Sequence, residues 1–351
     1  MEILITGGNG FVGRHLILAL QERGESVRVL VSPTGDATWL KQRGVAIFRG
    51  DIRSPDTLAL PMRGADAVFH LVAQTKKWGP MQDAHAVNVI GVENVCQAAL
   101  TADIRRIVHI STFTIYNMMI GRPVTEDDPL TPLNEPYSVT KAQGDKLVQR
   151  MIIKNSLPAV ILRLGALFGP GDHLNFGRLA DRVRAGKGLI VGTGNNAVPF
   201  VYITDVVQAL LLALDHDRAV GQAYNIGNDQ PLTQQQYLSA IAQDLCVAPP
   251  HIHIPYPPMY AAAYVAERIS TLSGYRIPPV VTRHGVKILG EDSRLSIDKA
   301  RRDLGYVPQV SVREGVRHTV SWYQQDKFGI PDANYFSGYK PIVHGKGKIN
   351  M

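Results

Sequence analysis

The segment Thr6-Gly7-Gly8-Asn9-Gly10-Phe11-Val12-Gly13 constrains this chain more than any other feature. It lies between a short apolar run at residues 2–6 and a helical pattern that opens at Phe11. Gly8, Gly10 and Gly13 fit G-x-G-x-x-G, and Gly7, Gly10 and Gly13 fit G-x-x-G-x-x-G. Glycine is needed at such a junction because the turn is tight, the backbone must come close to a pyrophosphate, and the helix must pack against the strand. Free amides at the start of the helix then hold phosphate oxygens. Gly7, Gly10, Phe11, Val12 and Gly13 are therefore candidate dinucleotide contacts.

The rest of the first half repeats the same unit. Residues 2–6, 26–31, 45–48, 66–71, 106–111 and 159–164 read as strands. Residues 11–23, 37–43, 54–60, 84–102 and 137–155 read as amphipathic helices between them. The strands are apolar almost throughout, as when both faces of a parallel sheet are covered. The expected fold class is α/β, a doubly wound parallel (Rossmann) sheet with a smaller C-terminal substrate-binding domain. The dinucleotide domain is expected over residues 1–165, with segments returning to it at about 198–228. Residues 166–330, where Gly and Pro become frequent, are expected mainly in the substrate domain. The tail, 331–351, has no periodicity and is expected to be poorly ordered.

Composition excludes several classes. The two cysteines, Cys96 and Cys246, make neither a disulfide framework nor a metal cluster. His70, His85, His173, His251 and His253 lack zinc-site spacing, so no metal is expected. The opening residues carry no signal-peptide pattern and no apolar run is long enough to span a bilayer, so the expected location is cytoplasmic. The net charge of +7 is scattered and partly lies in the tail at Lys340, Lys346 and Lys348. No aromatic-basic motif accompanies it, so no nucleic-acid partner is expected.

Tyr137 and Lys141 stand one helical turn apart in Tyr-Ser-Val-Thr-Lys. A free phenol titrates near ~10, too high for proton transfer at neutral pH. A nearby ammonium and a positive nicotinamide ring would favour the phenolate and lower that value. Tyr323 and Lys327 repeat the spacing, but in the last helix among charged neighbours, where a packing or surface role is expected. A hydroxyl from Ser111 or Thr112, at the end of the fifth strand, would hold a substrate oxygen against Tyr137. Asp51 follows the third strand, where it can reach an adenine edge or cap the next helix. The second strand ends in Val31-Ser32-Pro33-Thr34, with no acid to repel a 2′-phosphate and no arginine. Ser32, Thr34 or Arg14 would donate to that phosphate, so the cofactor expectation leans to NADP over NAD.

TGGNGFVG, GDI at 50–52, HLVA at 70–73, VNVIGVENV at 87–95, HISTFTIY at 109–116, YSVTK, RLGALFGPGD at 163–172 and FVYITDVVQA at 200–209 resemble an extended short-chain dehydrogenase/reductase over about residues 1–325. The resemblance implies Thr112 as the catalytic hydroxyl, Tyr137 as acid/base and Lys141 as its lysine. It also implies Asp51 and Ile52 against adenine, Leu71 and Ala73 along the adenosine ribose, Asn88 behind the active site, and Leu164 on the cofactor side. A homodimer joined through the helices around 84–102 and 137–155 is the habit of such proteins.

Two branches of that family compete. Sugar-nucleotide epimerases and dehydratases hold a diphosphate with an arginine before the FVYITD-type strand and an asparagine before the YGP-type turn. Here those positions read Val198-Pro199-Phe200 and Ala166-Leu167-Phe168. Lys77-Trp78-Gly79, GNNAVPFVYITD and SRLSIDKARRDLGYVP at 293–308 resemble the 3β-hydroxysteroid and sterol dehydrogenase branch instead. The apolar stretch 254–264 would suit an apolar substrate or peripheral docking at a membrane, or would form the core of the small domain. The expected chemistry is interconversion of a secondary alcohol and a ketone. An NDP-sugar epimerase or dehydratase, and a non-catalytic dinucleotide sensor, are the alternatives.

Overall fold

The computed structural model describes residues 1–328, and the tail beyond lies outside the described residues. In chain order the strands are β1 (Glu2–Thr6), β2 (Ser26–Val31), β3 (Ala46–Arg49), β4 (Ala67–His70), β5 (Arg106–Thr112), β6 (Ala159–Leu164), β7 (Ala166–Phe168), β8 (Leu189–Val191), β9 (Phe200–Tyr202), β10 (Ala223–Ile226) and β11 (Ile252–Ile254). Seven of them form one sheet in the order β10-β6-β5-β4-β1-β2-β3, and every neighbouring pair runs parallel. The doubly wound expectation holds, including the return of residues 223–226 to the sheet edge. The order reverses between β1 and β4, which opens a crevice at the carboxyl ends of those strands.

Strand alternation explains why both faces are covered. Ile3 and Ile5 point to one side, with Leu16, Ile17 and Leu20 of the helix Phe11–Glu22 and Val207, Leu210 and Leu214 of the helix Ile203–Asp215. Leu4 points to the other, with Val92 and Val95 of the helix Gly91–Thr101 and Leu147, Val148 and Met151 of the helix Pro136–Asn155. Each such side chain, fully buried, stabilises the fold by ~1.5–3 kcal/mol relative to exposure.

Two expected helices differ in detail. The segment read as 84–102 begins earlier, at Met81, and passes through a π-helical turn, Ala86–Ile90, before continuing to Thr101. Such a turn inserts a residue and turns Asn88 inward. The segment read as 54–60 is a short 3₁₀ turn, Pro55–Thr57, followed by Ala59–Met62.

Beyond β6 two small parallel ladders form, β7 with β9 and β8 with β11. Phe168, Phe176, Phe200, Tyr202 and Tyr237 pack as an aromatic cluster, with the Phe200 and Tyr237 rings stacked at 3.8 Å. The stretch 254–264 is largely helical: Tyr256–Leu272, with proline in its first turn. Its inner side packs Tyr256, Met259, Tyr260 and Ala263 against Val286 of the helix Arg283–Gly290.

Candidate active site

The glycine turn sits at the sheet's switch point. Gly7 adopts φ +80°, open to glycine at no steric cost, and lies against the backbone that follows β4. A methyl group on Gly13 would stand 2.5 Å from the Gly8 Cα and 2.6 Å from the Gly7 carbonyl oxygen. The helix Phe11–Glu22 starts at Gly10 with no side-chain cap and no acid in its first turn. Its leading amides therefore face the crevice with no side-chain acceptor, the arrangement that receives a phosphate.

The neighbouring edge contains a residue the linear reading missed. Ser32 is exposed just beyond β2. Register places Arg49, the last residue of β3, beside Val31, and its Nη1 donates to the Ser32 and Gly35 carbonyl oxygens at 3.0 and 2.5 Å. The second strand does end without an arginine, but sheet pairing supplies one from the third. Arg14 instead donates to the Asn9 carbonyl oxygen at 3.2 Å and lies 5.4 Å from the Trp39 ring.

The Asp51 carboxylate accepts from the Arg53 side chain and, at 2.9 Å, from the Arg53 amide. The 3₁₀ turn at Pro55 has no side-chain cap, so the capping option for Asp51 is not realised. Ile52 is buried against Gly91. Leu71 and Ala73 follow β4, half-buried, beside the glycine turn. Leu164 closes β6 opposite Thr112. Asn88 is buried; its Oδ1 accepts from the Gln74 amide at 2.8 Å, and its Nδ2 donates to the Gln74 carbonyl oxygen at 3.0 Å and to Thr140 Oγ1 at 2.9 Å. Asn88 thereby ties the loop after β4 to the helix Pro136–Asn155.

Thr112 and Tyr137 meet. The Thr112 hydroxyl, 3.3 Å from Thr114 Oγ1, is close enough to act on the Tyr137 phenol, and Lys141 Nζ donates to the Ile110 carbonyl oxygen at 2.6 Å. Ser111 is buried, and its Oγ has no hydrogen-bond partner among the described residues, so Thr112 is the hydroxyl brought to the tyrosine. The electrostatics include a contribution that helix spacing does not report. Burial pushes the Tyr137 phenol up to about 12; the Thr112 hydroxyl opposes this and the Glu135 carboxylate adds to it. The Lys141 ammonium is not among the groups that move it. Burial brings Lys141 itself down to about 8, with Asp145 acting in the opposite direction. Tyr137 is thus a neutral phenol at neutral pH, poised to give a proton.

Tyr323 and Lys327 are accounted for elsewhere. Tyr323 is buried and donates to Asp181 Oδ1 at 2.6 Å, and Lys327 Nζ lies 3.4 Å from the other oxygen of the same carboxylate.

Three further groups were not singled out from the sequence. Glu135 caps the helix Pro136–Asn155, accepting from the amides of Tyr137 at 2.9 Å and Ser138 at 2.7 Å. An acceptor followed by proline at the first helical position is a readable cap signal. His284 comes from far along the chain, lies 3.2 Å from Glu135 Oε1 and turns its ring edge to Tyr137 at 6.0 Å. Buried Arg163 and Asp145 pair at 2.8 Å, and Arg163 also donates to Tyr116 Oη at 2.6 Å, locking β6 to the helix that carries Tyr137. Beside Ser138 and Thr114 an open pocket is walled by Phe113, Met118, Leu133 and Ile288. Among the described residues no group of three or more His, Cys, Asp or Glu side chains converges as a metal site.

A glycine turn at the switch point of a parallel sheet, with Thr112, Tyr137 and Lys141 gathered at a neighbouring strand end, is the arrangement of an extended short-chain dehydrogenase/reductase. The chain belongs to the NAD dependent epimerase/dehydratase family, an enzyme family, which matches residues 3–227. It is similar to the 2-alkyl-3-oxoalkanoate reductase of Stenotrophomonas maltophilia, at 35% identity over 329 residues, covering 90% of this chain and 98% of that one. It is also similar to the decarboxylating sterol-4-alpha-carboxylate 3-dehydrogenase of Mus musculus, at 30% identity, covering 90% of this chain and 89% of that one. Among solved structures, the dTDP-glucose 4,6-dehydratase DesIV of Streptomyces venezuelae, with NAD and TYD bound, superposes with a TM-score of 0.76 at 26% identity, covering 93% of this chain and 98% of that one.

Proposed function

We propose that this protein is an NAD(P)-dependent ketoreductase/dehydrogenase that interconverts a secondary alcohol and a ketone on an apolar, steroid-like or long-chain substrate. The observation that carries the reading is the neutral Tyr137 phenol next to the Thr112 hydroxyl, beside a pocket with an apolar wall. The residues fit a dinucleotide: the turn Gly7–Gly13 would hold its pyrophosphate, with Phe11 and Val12 opening the helix behind it. Asp51 and Ile52 would border the adenine, Leu71 and Ala73 the ribose, and Lys141, Asn88 and Leu164 the nicotinamide half. Bound in reduced form, the cofactor supplies a hydride to the carbonyl carbon. Tyr137 gives its hydroxyl proton to the carbonyl oxygen, and Thr112 orients that oxygen. The reverse reaction returns the alcohol proton to Tyr137. Ser32 and Arg49 support NADP over NAD, since a guanidinium beside the exposed hydroxyl suits a 2′-phosphate.

The residues after β6 would form the substrate-binding part of the molecule. Val265, Ile269 and Leu272 form an exposed apolar stripe on the helix Tyr256–Leu272, continued by Ile277 and Val280, which supports peripheral contact with a membrane. Exposed Ile90 and Ile153 on the helices expected to pair support a homodimer. No helix of the described residues is long and apolar enough to cross a membrane, and a cytoplasmic site of action is part of the same proposal.

Turnover of hydroxysteroids, long-chain 3-oxo compounds and sugar nucleotides, each with NADP and NAD, tests the reading. Cofactor-coupled reduction of the apolar ketones supports it. Epimerisation of a sugar nucleotide with no net cofactor change, or no turnover despite tight cofactor binding, would replace it with one of the two alternatives.

A further inference from the structure

The helix Arg283–Gly290 lays one face along the pocket beside Tyr137. His284, Lys287, Ile288 and Glu291, spaced i, i+3, i+4 and i+7, all line it. Glu291 lies just past the helix end but keeps its register, since its amide donates to the Lys287 carbonyl oxygen at 3.0 Å. At the near end of this face His284 turns its ring edge to Tyr137, with ring centroids 6.0 Å apart. Ile288 fills the middle, and the far end is polar. The Glu291 side chain is only 7% exposed. Its Oε1 accepts from Tyr256 Oη at 2.7 Å, while its Oε2 has no hydrogen-bond partner among the described residues. Lys287 Nζ stands 3.6 Å from Oε2, an ion pair too long for a hydrogen bond. Asn196 Nδ2 donates to the Glu291 carbonyl oxygen at 3.2 Å, so a tied backbone delivers the carboxylate.

A buried carboxylate oxygen left without a donor is costly, and a donor arriving in the pocket would relieve that cost. The carboxylate only accepts and the ammonium only donates, whereas a hydroxyl does both and can bridge the two. The seven positions from His284 to Glu291 span ~10 Å along the helix, at about 1.5 Å per residue. We propose that Glu291 and Lys287 form a second, polar subsite, which binds a hydroxyl carried by the substrate ~10 Å from the carbon that reacts at Tyr137. The substrate is then an apolar body with an oxygen function at each end, and Phe113, Met118 and Ile288 take the stretch between. This rests on the ketoreductase/dehydrogenase reading above and narrows its substrate class. Glu291 and Lys287 set specificity here, and Tyr137 keeps the proton transfer.

The test measures reduction of two ketone sets by the full chain with NADPH. One is a length series of straight-chain alkan-2-ones ending in either a methyl or a hydroxyl group. The other is a 3-oxosteroid with and without a hydroxyl on the ring farthest from the ketone. In either set the wild type is expected to prefer the hydroxylated partner about 10- to 150-fold in kcat/KM, the worth of a hydrogen bond to a charged group, mainly through KM. Among the alkanones the preference should peak where the chain spans ~10 Å. Glu291→Gln removes the charge and should cut the preference to about 2- to 10-fold, the worth of a neutral hydrogen bond. Should that variant fail to fold, Lys287→Met is the second arm and should lower the preference about 2- to 10-fold. A wild type that uses hydroxylated and plain ketones equally, or variants that slow both alike, overturns the subsite while the ketoreductase reading stands. A wild type that reduces no ketone of either set overturns both.

Discussion

Substituting Gly13 by alanine tests the cofactor cradle where the geometry is least forgiving. The new methyl carbon would meet the Gly8 Cα at 2.5 Å and the Gly7 carbonyl oxygen at 2.6 Å. Both are backbone atoms, so no side-chain rotation relieves the contact. Either the turn opens, displacing the amides that would hold the pyrophosphate, or the fold carries the strain. Overpacking of this kind costs ~1–3 kcal/mol, equivalent to roughly a 5- to 150-fold change in an equilibrium constant. Fluorescence titration with NADPH and thermal unfolding without it together capture both outcomes. Gly177→Ala is the control, because its methyl group would find only an ordinary 3.4 Å contact with the Asp172 carbonyl oxygen. If Gly13→Ala bound NADPH and unfolded as the wild type does, the proposed packing of the turn would be refuted.

Arg49→Gln should weaken NADPH binding about 10- to 100-fold, the range for a charge-assisted bond, while NADH binding changes little; equal losses for both cofactors would remove Arg49 from 2′-phosphate recognition. The pH profile of ketone reduction follows from three displaced groups. Tyr137, raised to about 12, stays protonated throughout the neutral range, while Lys141, which would hold the nicotinamide half, and Lys77, over the Tyr137 ring, are both lowered to about 8 and lose their charge above that pH. Reduction should therefore be level up to about pH 8 and decline beyond it, and a rate that climbs steadily above pH 8 would contradict this assignment. Asp145→Asn leaves the buried Arg163 guanidinium without its counter-charge and should cost ~3–5 kcal/mol in denaturant unfolding; a loss below ~1 kcal/mol, the scale of an exposed pair, would mean that the pair is not buried in solution.

The strand and helix pattern was legible because alternation and apolar runs are local properties. β1 through β6 lie within a residue or two of where the pattern puts them, and the glycine spacing located the turn at the switch point. The features that escaped reading are those made by the third dimension. Arg49 is distant from Ser32 in sequence and becomes its neighbour only through β2–β3 register. His284 reaches Glu135 across 149 positions of chain, with no local pattern to announce it. Lys77 was visible as part of a motif, but its position over the Tyr137 ring depends on Asn88 anchoring the loop. Burial raises the Tyr137 phenol, a contribution that spacing along a helix does not report, since spacing shows neighbours and not desolvation.

In the proposed reaction Tyr137 gives its proton to a carbonyl held at Thr112, next to a bound dinucleotide. Single-turnover oxidation of NADPH by a long-chain 3-oxo compound, compared between the wild type and Tyr137→Phe, measures this step most directly. NADPH binding should be undiminished in the variant, and the rate of the chemical step should fall ~10²- to 10⁴-fold, the usual worth of a positioned acid. A Tyr137→Phe enzyme that oxidised NADPH at the wild-type rate would contradict it.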